Sequence, residues 1–331
     1  MTKKYDVYGI GNALVDIEFE VSTAFLTDSG IEKGLMTLVD EKKQSQIIES
    51  LHTIQHKRTC GGSAANSMIA VAQMGGKSFY SCKVAKDEMG DFYYKDLLEN
   101  KVDSNLSHQK RNLGTTGKCL VLITPDAERT MNTFLGISEN ISTEELDINA
   151  LKNSNYIYIE GYLVTSTTGK AAALHAKKLA EENNVKTALT LSDVNMVNYF
   201  KEGLMEMIGK GVDILFCNES EALAFSGKKN LDEAILFLKT ISNSFCITLG
   251  SKGAFVFDGK KEIYVVATPV KPVDTNGAGD LFAGSFLYAI NNGFSFAEGA
   301  RLGCMASSLL VTQFGARLSL NQAQEIKSLA L

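Results

Sequence analysis

Seven residues, Asp274-Thr275-Asn276-Gly277-Ala278-Gly279-Asp280, combine small side chains with two carboxylates directly before an apolar segment. Phe282, Phe286 and Ile290 recur in that segment at helical spacing, so the sequence predicts a helix that begins near the glycines. Small residues at a helix start leave backbone N–H groups free, with the positive end of the helix dipole behind them. This pattern predicts an anion site suited to a phosphoryl group in transfer.

Asp280 is expected in the first turn of this helix, beside the N–H groups of Gly277, Ala278 and Gly279. A carboxylate there can take the proton of a substrate hydroxyl while the hydroxyl oxygen attacks a phosphoryl group. A lone aspartate in a first helical turn is usually a capping residue. The surrounding Gly-Ala-Gly favours the catalytic interpretation, in which Asp280 is the base of a phosphotransferase.

A second glycine-bearing segment, Cys60-Gly61-Gly62-Ser63-Ala64-Ala65-Asn66, leads into another apolar helical pattern. Paired glycines let the backbone approach a ligand closely, and the Asn66 amide can both donate to and accept from a hydroxyl. The same segment is equally typical of a tight turn in which Ser63 caps the helix. Taken alone, it leaves both interpretations open.

Apolar, β-rich runs recur along the chain, and most are followed by a helical pattern. They cover residues 5–11, 155–160, 186–192, 212–217 and 245–249. Strands that alternate with helices predict a mainly parallel sheet with helices on both faces.

Polar residues follow the ends of these strands, where open α/β sheets bind their ligands. They are Asn12, Asp16, Glu160, Ser192, Asp193, Asn195, Asn218, Glu221, Thr248 and Gly250. Any one of them is more often a helix cap or a turn residue. Because they recur after five strands, we expect one shared crevice.

Two stretches depart from the strand–helix alternation. In residues 15–22 apolar and polar side chains alternate, which predicts a half-exposed strand. Residues 118–124 and 129–135 are extended runs joined by Pro125-Asp126-Ala127-Glu128, which has turn chemistry. Together they predict a small antiparallel β lid, formed discontinuously by about 13–38 and 115–136.

The composition and the missing motifs count against several classes of protein. The chain has 331 residues and a formal net charge of -5, with no Lys/Arg run that would favour nucleic acid or an anionic membrane as a partner. Six scattered cysteines, with no Cys-x-x-Cys pair and no apparent signal peptide, favour buried thiols in a cytoplasmic protein. The motifs of P-loop kinases, dinucleotide-binding enzymes, zinc proteases and serine hydrolases are absent.

Residues 61–66 and 274–280 resemble the two signatures of the PfkB carbohydrate kinase (ribokinase-like) family in composition, order and separation. The resemblance extends over essentially the whole chain, from Tyr5 to Arg317. It implies a ribokinase-like three-layer α/β/α core with a mainly parallel sheet and a small β lid, in a single kinase domain over residues 1–331. It also implies transfer of a phosphoryl group from ATP to a hydroxyl of a small molecule, with Mg²⁺ and in many members K⁺.

The resemblance carries roles onto matching positions. Asp280 matches the base, and Gly277, Ala278 and Gly279 match the anion hole. The substrate contacts of the family match Asn12, Asp16, Gly61, Gly62 and Asn66, and the residues that position phosphate and, through water, Mg²⁺ match Asn218 and Glu221. The nucleotide loop matches Thr248, Gly250, Lys252 and Gly253. The monovalent-cation site matches Asp274, Asn276, Gly315 and Ser319. Asn276 and Gly277 replace the Thr and Ala that are common in the second signature, a change that bears on the cation site.

Within the family, residues 128–136, 159–163 and 189–193 resemble the adenosine-kinase-like branch. This implies a ribonucleoside acceptor, adenosine first, phosphorylated at its 5′-hydroxyl. Phe134 and Phe19 of the lid are candidates for stacking on the nucleobase, although aromatic residues of a lid more often pack its two layers together. A ribokinase- or fructokinase-type sugar kinase is the alternative within the family. A non-catalytic regulator on the same fold, responding to sugars or nucleotides, is the alternative from another functional class. The protein is expected to be a monomer or a homodimer.

Overall fold

The computed structural model of the protein describes residues 3–51, 55–107, 111–126 and 128–331. Within these ranges the strands form two sheets, one of nine strands and one of five. Ala127 of the predicted turn lies outside the described residues.

The larger sheet is mainly parallel, as predicted. Numbered in chain order, its strands are β1 (Tyr5–Ile10), β5 (Ser78–Ser81), β6 (Asp103–Ser104), β9 (Ser154–Glu160), β10 (Lys186–Thr190), β11 (Val212–Asn218), β12 (Ser242–Thr248), β13 (Ala254–Phe257) and β14 (Glu262–Val265). Their order is β14-β13-β12-β11-β10-β9-β1-β5-β6, and the strands from β12 to β6 pair in parallel. Only β13 and β14, at one edge of this sheet, pair antiparallel.

Helices cover both faces of this sheet. The helices of the described residues are α1 (Thr23–Asp28), α2 (Glu41–Ser50), α3 (Ser63–Gln73), α4 (Glu88–Glu99), α5 (Ile148–Lys152), α6 (Thr167–Glu182), α7 (Val194–Ile208), α8 (Glu219–Ser226), α9 (Leu231–Leu238), α10 (Ala278–Asn291), α11 (Phe296–Leu310) and α12 (Leu320–Ala330). Of these, α1 and α2 pack on the smaller sheet. In β9, Tyr156 and Tyr158 join the core formed with α3 and α10, whereas Ile157 and Ile159 join the core formed with α6 and α7. The predicted three-layer α/β/α arrangement is therefore confirmed.

The smaller sheet is mixed rather than antiparallel. Its strands are β2 (Leu14–Glu20), β3 (Met36–Leu38), β4 (Gln55–Gly61), β7 (Thr116–Ile123) and β8 (Arg129–Gly136), in the order β3-β8-β7-β2-β4. β2 pairs parallel with β7, and β3 pairs parallel with β8. The sheet also includes β4, a segment outside the predicted ranges 13–38 and 115–136.

The prediction of a half-exposed β2 was wrong, because both faces of this strand are buried. Val15 and Ile17 pack in a core with residues of α1 and α2. Asp16 lies on the opposite face and is also buried. The alternation therefore places apolar side chains on one buried face of β2 and polar side chains on the other buried face, and it does not mark a face turned to solvent.

The six cysteines are all free and buried, as expected. The cytoplasmic location inferred from them stays a prediction. None of the described helices combines the length and apolarity needed to cross a bilayer.

Candidate active site

A cleft of about 550 Å³ lies between the carboxyl ends of the parallel strands and one face of the smaller sheet. Residues after or at the ends of β1, β9, β10, β11 and β12 line it, which agrees with the predicted shared crevice. From the predicted set, these lining residues are Asn12, Asp16, Glu160, Ser192, Asp193, Asn218, Glu221 and Thr248. Asn195 and Gly250 are not among the residues that line it.

Asp280 lies in this cleft, in the first turn of α10, where the starts of α3 and α10 meet. Its carboxylate accepts hydrogen bonds from Ser63 Oγ at 2.6 Å and from Asn66 Nδ2 at 3.0 Å. Ser63 therefore does not cap α3 with its side chain; Gly62 occupies the N-cap position. The two glycine-bearing segments, more than 200 residues apart in sequence, form one site around this carboxylate.

The loop before α10 presents its backbone to the cleft. Gly277 is the N-cap residue and has a φ of +72°, in the left-handed region that favours glycine. A side chain there would also collide with Ala316, whose nearest atom would lie 2.6 Å from a Cβ. Gly277 and Gly279 line the cleft, and the N–H of Ala278 makes a long contact of 3.4 Å with the carbonyl of Thr275.

Burial changes the acidity of the carboxyl groups at the site. It raises the pKa of Asp280, although the hydrogen bonds from Ser63 and Asn66 and the charges of two arginines act in the opposite direction. Burial also raises the pKa of Asp16 to about 7 and that of Glu160 to about 8. A carboxylate with a raised pKa is a stronger base than a free aspartate, which suits proton abstraction near neutral pH.

Glycines make room for two of these carboxylates. A Cβ at Gly61 would lie 2.0 Å from Asp16 Oδ1, and one at Gly11 would lie 2.4 Å from Glu160 Oε2. Glu160 accepts backbone hydrogen bonds from Asn12 at 3.2 Å and from Ala64 at 2.8 Å. Glu160 thus ties the end of β1 to the start of α3.

Asn218 and Glu221 form a capping box at the start of α8. The Asn218 side chain accepts from Glu221 N at 2.8 Å, and the Glu221 carboxylate accepts from Asn218 N at 3.0 Å and from Asn218 Nδ2 at 2.7 Å. Burial raises the pKa of Glu221 to about 7. Both residues also line the cleft, so their capping role and their predicted role at the phosphates are compatible.

The predicted nucleotide loop follows β12. Thr248 lines the cleft, whereas Gly250, Lys252 and Gly253 are not among its lining residues. Lys252 is mostly exposed and lies 3.6 Å from Glu219 in an ion pair. Gly253 has a φ of +106°, and a Cβ there would lie 1.9 Å from the carbonyl oxygen of Val265.

Three of the four residues predicted for a monovalent cation meet around a wholly buried carboxylate. Asp274 accepts from Asn276 N at 2.8 Å and from Gly315 N at 2.9 Å. Within the described ranges, no lysine or arginine forms an ion pair with it. The hydroxyl of Ser319 is engaged in a capping box with Gln322 at the start of α12.

The structure places Phe134 and Phe19 away from the cleft, which corrects their predicted contact with a base. Phe134 pairs with Lys118 across β7 and β8, on the face opposite to Thr133 and Leu135. Phe19 is buried in the core on the outer face of the smaller sheet. Strand alternation sends these rings away from the cleft and sends aliphatic side chains into it: Leu14, Met36, Leu38, Met131 and Leu135.

Arg129 is a lining residue to which the sequence analysis assigned no role. From β8 it donates to Asn276 Oδ1 at 2.9 Å and to the carbonyl of Thr275 at 3.4 Å, so it connects the smaller sheet to the loop before α10. Of the described residues that line the cleft, six carry carboxylates and one, Arg129, carries a cation. The signal in the sequence was a charged residue at the start of a strand whose other residues are all uncharged.

This chain is similar to known kinases in both sequence and structure. The family model described as pfkB family carbohydrate kinase matches residues 36–323. The crystal structure of adenosine kinase from Sinorhizobium meliloti is 33% identical, with a TM-score of 0.92 and 98% of this chain and 99% of that chain covered. A Rhizobium etli CFN 42 structure, described as a probable sugar kinase protein, is 30% identical, with a TM-score of 0.93 and all of both chains covered. The adenosine kinase of Saccharomyces cerevisiae strain S288c is 28% identical over 92% of this chain and 94% of its own length.

The family match includes both glycine-bearing segments and all the strands whose ends line the cleft except β1 and β2. The structural matches cover those two strands as well and have the same ribokinase-like fold. The chain therefore belongs to the pfkB family of carbohydrate kinases and is a phosphotransferase that uses a hydroxyl group as acceptor.

Proposed function

We propose that this kinase transfers the γ-phosphate of ATP to the 5′-hydroxyl of a ribonucleoside, with adenosine as the preferred acceptor. The observation that carries the proposal is the position of Asp280, held by Ser63 and Asn66 beside the start of α10 in a cleft with one aliphatic wall. The similarity to proteins named adenosine kinase supports the choice of acceptor.

In the proposed reaction, Asp280 takes the proton of the acceptor hydroxyl as its oxygen forms a bond to the γ-phosphorus. The bond between that phosphorus and the bridging oxygen breaks, and ADP leaves with the electron pair. Backbone N–H groups of residues 277–279 stabilise the negative charge on the phosphoryl oxygens in transfer. Arg129 holds the side chain of Asn276 in this loop and adds a positive charge.

The cleft offers two kinds of surface to the acceptor. Asp16, Asn66 and the backbone at Gly62 can bind the vicinal hydroxyls of a ribose. Aliphatic side chains of the smaller sheet face the same space and can cover a base, which a free sugar lacks. This second surface favours a nucleoside kinase over a sugar kinase.

Incubation of the purified protein with ATP, Mg²⁺ and adenosine is expected to produce ADP and AMP in equal amounts. Phosphorus NMR of the product should show the phosphate on the 5′-oxygen. Transfer to ribose or fructose but not to adenosine would support the sugar-kinase alternative. Binding of nucleosides with no transfer to any hydroxyl would support the non-catalytic regulator.

We propose that Glu221 helps to bind Mg²⁺ through water molecules. The cleft carries a surplus of carboxylates, among them Asp193 and Glu221, so the phosphates of ATP need a cation to approach them. Both oxygens of Glu221 already accept hydrogen bonds from Asn218, which suits contact through water. When bound, Mg²⁺ neutralises charge on the phosphate groups.

Glu221→Gln is therefore expected to raise the Mg²⁺ concentration required for half-maximal activity, with little change in the KM for the acceptor. Glu219→Gln is the matched control, because Glu219 lies on the same helical turn but pairs with Lys252. Titration of activity with magnesium chloride measures both variants. An unchanged titration for Glu221→Gln would remove Glu221 from the metal site.

We also propose that K⁺ activates the enzyme by binding near Asp274, Asn276 and Gly315. The buried Asp274 carboxylate receives two backbone N–H groups but no side-chain cation within the described ranges, so a bound monovalent ion would balance its charge. Higher activity and a higher melting temperature are expected in potassium chloride than in Tris buffer free of potassium and sodium. Equal values in the two buffers would contradict the proposal.

A further inference from the structure

Arg317 lies in the loop between α11 and α12, behind the site, and is buried to 92% of its surface. Its Nε donates to Asn66 Oδ1 at 3.0 Å, and its Nη1 donates to Asp96 Oδ2 at 2.7 Å. Asn66 in turn donates to Asp280. A chain of hydrogen bonds thus runs from α4 through the C-terminal loop and α3 to α10.

This chain sets the orientation of the Asn66 amide. A guanidinium group has donors and no acceptor, so Asn66 must turn its oxygen toward Arg317. The amide nitrogen then faces Asp280, where it donates at 3.0 Å. Without Arg317 the amide loses one of the two groups that hold this orientation, so its nitrogen is less firmly placed as a donor to Asp280.

Stability alone is a poor explanation for this arginine. Its Nη2 is buried and has no hydrogen-bond partner among the described residues, and an unsatisfied buried donor lowers stability. A buried ion pair is often no better for stability than a well-packed apolar pair. The partner Asp96 also accepts from the backbone N–H of Cys60, at the start of the glycine-bearing segment.

We propose that Arg317 is a positioning residue of the phosphoryl-transfer reaction, which fixes Asn66 as a hydrogen-bond donor to Asp280. The inference rests on the proposed role of Asp280 as the base. Arg317 itself does not line the cleft; it acts through Asn66 and Asp96.

The effect on pH dependence follows from the charges around Asp280. Among the described residues, the carboxylates, tyrosines and arginines that act on it or line the cleft are Asp16, Glu128, Glu160, Asp193, Glu221, Tyr158, Tyr162, Arg129 and Arg317. Arg317 and the donor that it orients both favour the ionised form of Asp280. Their loss raises the pKa of Asp280, so the base becomes protonated, and activity is lost, at a higher pH than in the wild-type enzyme.

Arg317→Met is the principal test, with kcat and kcat/KM measured across the pH range. We expect kcat near neutral pH to fall about 10-fold, the lower end of what a hydrogen bond to a charged group contributes. The acidic limb of the profile should move to higher pH. Arg301→Met is the matched control, because the Arg301 guanidinium bonds the carbonyl of Ala330 and is expected to leave the profile unchanged.

Two further variants separate positioning from folding. Arg317→Met combined with Asp96→Asn removes both charges, so no buried carboxylate is left without its cationic partner. This double variant should fold stably and keep the shifted pH profile. Arg317→Ala should regain part of its kcat when methylguanidinium is added. A second cavity of about 490 Å³, lined by Arg317 and Asp96 and sharing no lining residue with the cleft, gives the small cation a route.

A lowered melting temperature with an unchanged pH profile in both Arg317 variants would show that the residue is only structural. No response to methylguanidinium together with an unchanged acidic limb would also overturn the inference. Failure of the proposed function gives a different result: Asp280→Asn would then remain active. An inactive Asp280→Asn with an unshifted Arg317→Met would reject the role of Arg317 alone.

Discussion

Asp280→Asn is expected to lower kcat by at least about 100-fold, the lower end of the effect of a positioned general base. The substitution keeps the size of the side chain, and its amide can still bond Ser63 and Asn66. What it loses is the ability to take a proton from the acceptor. ATP affinity and melting temperature should therefore stay near their wild-type values, as measured by calorimetry and thermal unfolding.

Asp147→Asn is a suitable control for this variant. Asp147 caps α5, away from the cleft, and asparagine is an equally good capping residue. The control should keep full activity. Phosphoryl transfer by Asp280→Asn at a rate within a few-fold of the wild type would show that Asp280 is not the base.

The architecture was predictable where strands are buried on both faces. β9 and β11 contain continuous apolar runs, at 156–159 and 214–217, which are typical of parallel strands between two helical layers. The short strands β5 and β6 offer no such run. β4 has the sequence Gln-His-Lys-Arg-Thr-Cys-Gly, with little apolar character, and it is a strand because its backbone pairs with β2. That pairing is a tertiary contact with no local signal.

The site was predictable where local chemistry determines it. The glycines before Asp280 and the polar residues at the strand ends are local patterns, and the structure brings most of them into one cleft. The direction of Phe134 was not predictable, because it depends on which face of β8 is turned to the cleft. Arg317 shows the same limit: its contacts with Asn66 and Asp96 span more than 200 residues of sequence.

The acceptor preference is expected to depend on the aliphatic face of the smaller sheet. The cleft is lined by Leu14, Met36, Leu38, Met131 and Leu135 and also by Tyr162, so a nucleobase can be covered there. Burying about 100 Å² of base surface at roughly 25 cal/mol per Å² contributes about 2.5 kcal/mol. The kcat/KM for adenosine should therefore exceed that for ribose or fructose by between about 10- and 100-fold.

Two adjacent residues of β8 provide the test of this wall. Leu135 faces the cleft and Phe134 faces away from it, so Leu135→Thr should lower kcat/KM for adenosine and leave that for ribose nearly unchanged. Phe134→Thr is the matched control. It should keep the adenosine-to-ribose ratio, because the Phe134 ring does not reach the nucleobase in the wild-type enzyme. Both threonines suit a strand, so the backbone of β8 is preserved. A wild-type ratio that favours the free sugar would reject the nucleoside assignment. A Phe134→Thr variant that loses adenosine preference while Leu135→Thr keeps it would reject the role of the aliphatic wall. The proposed role of Asp280 is independent of this result, because the Asp280→Asn variant tests it separately.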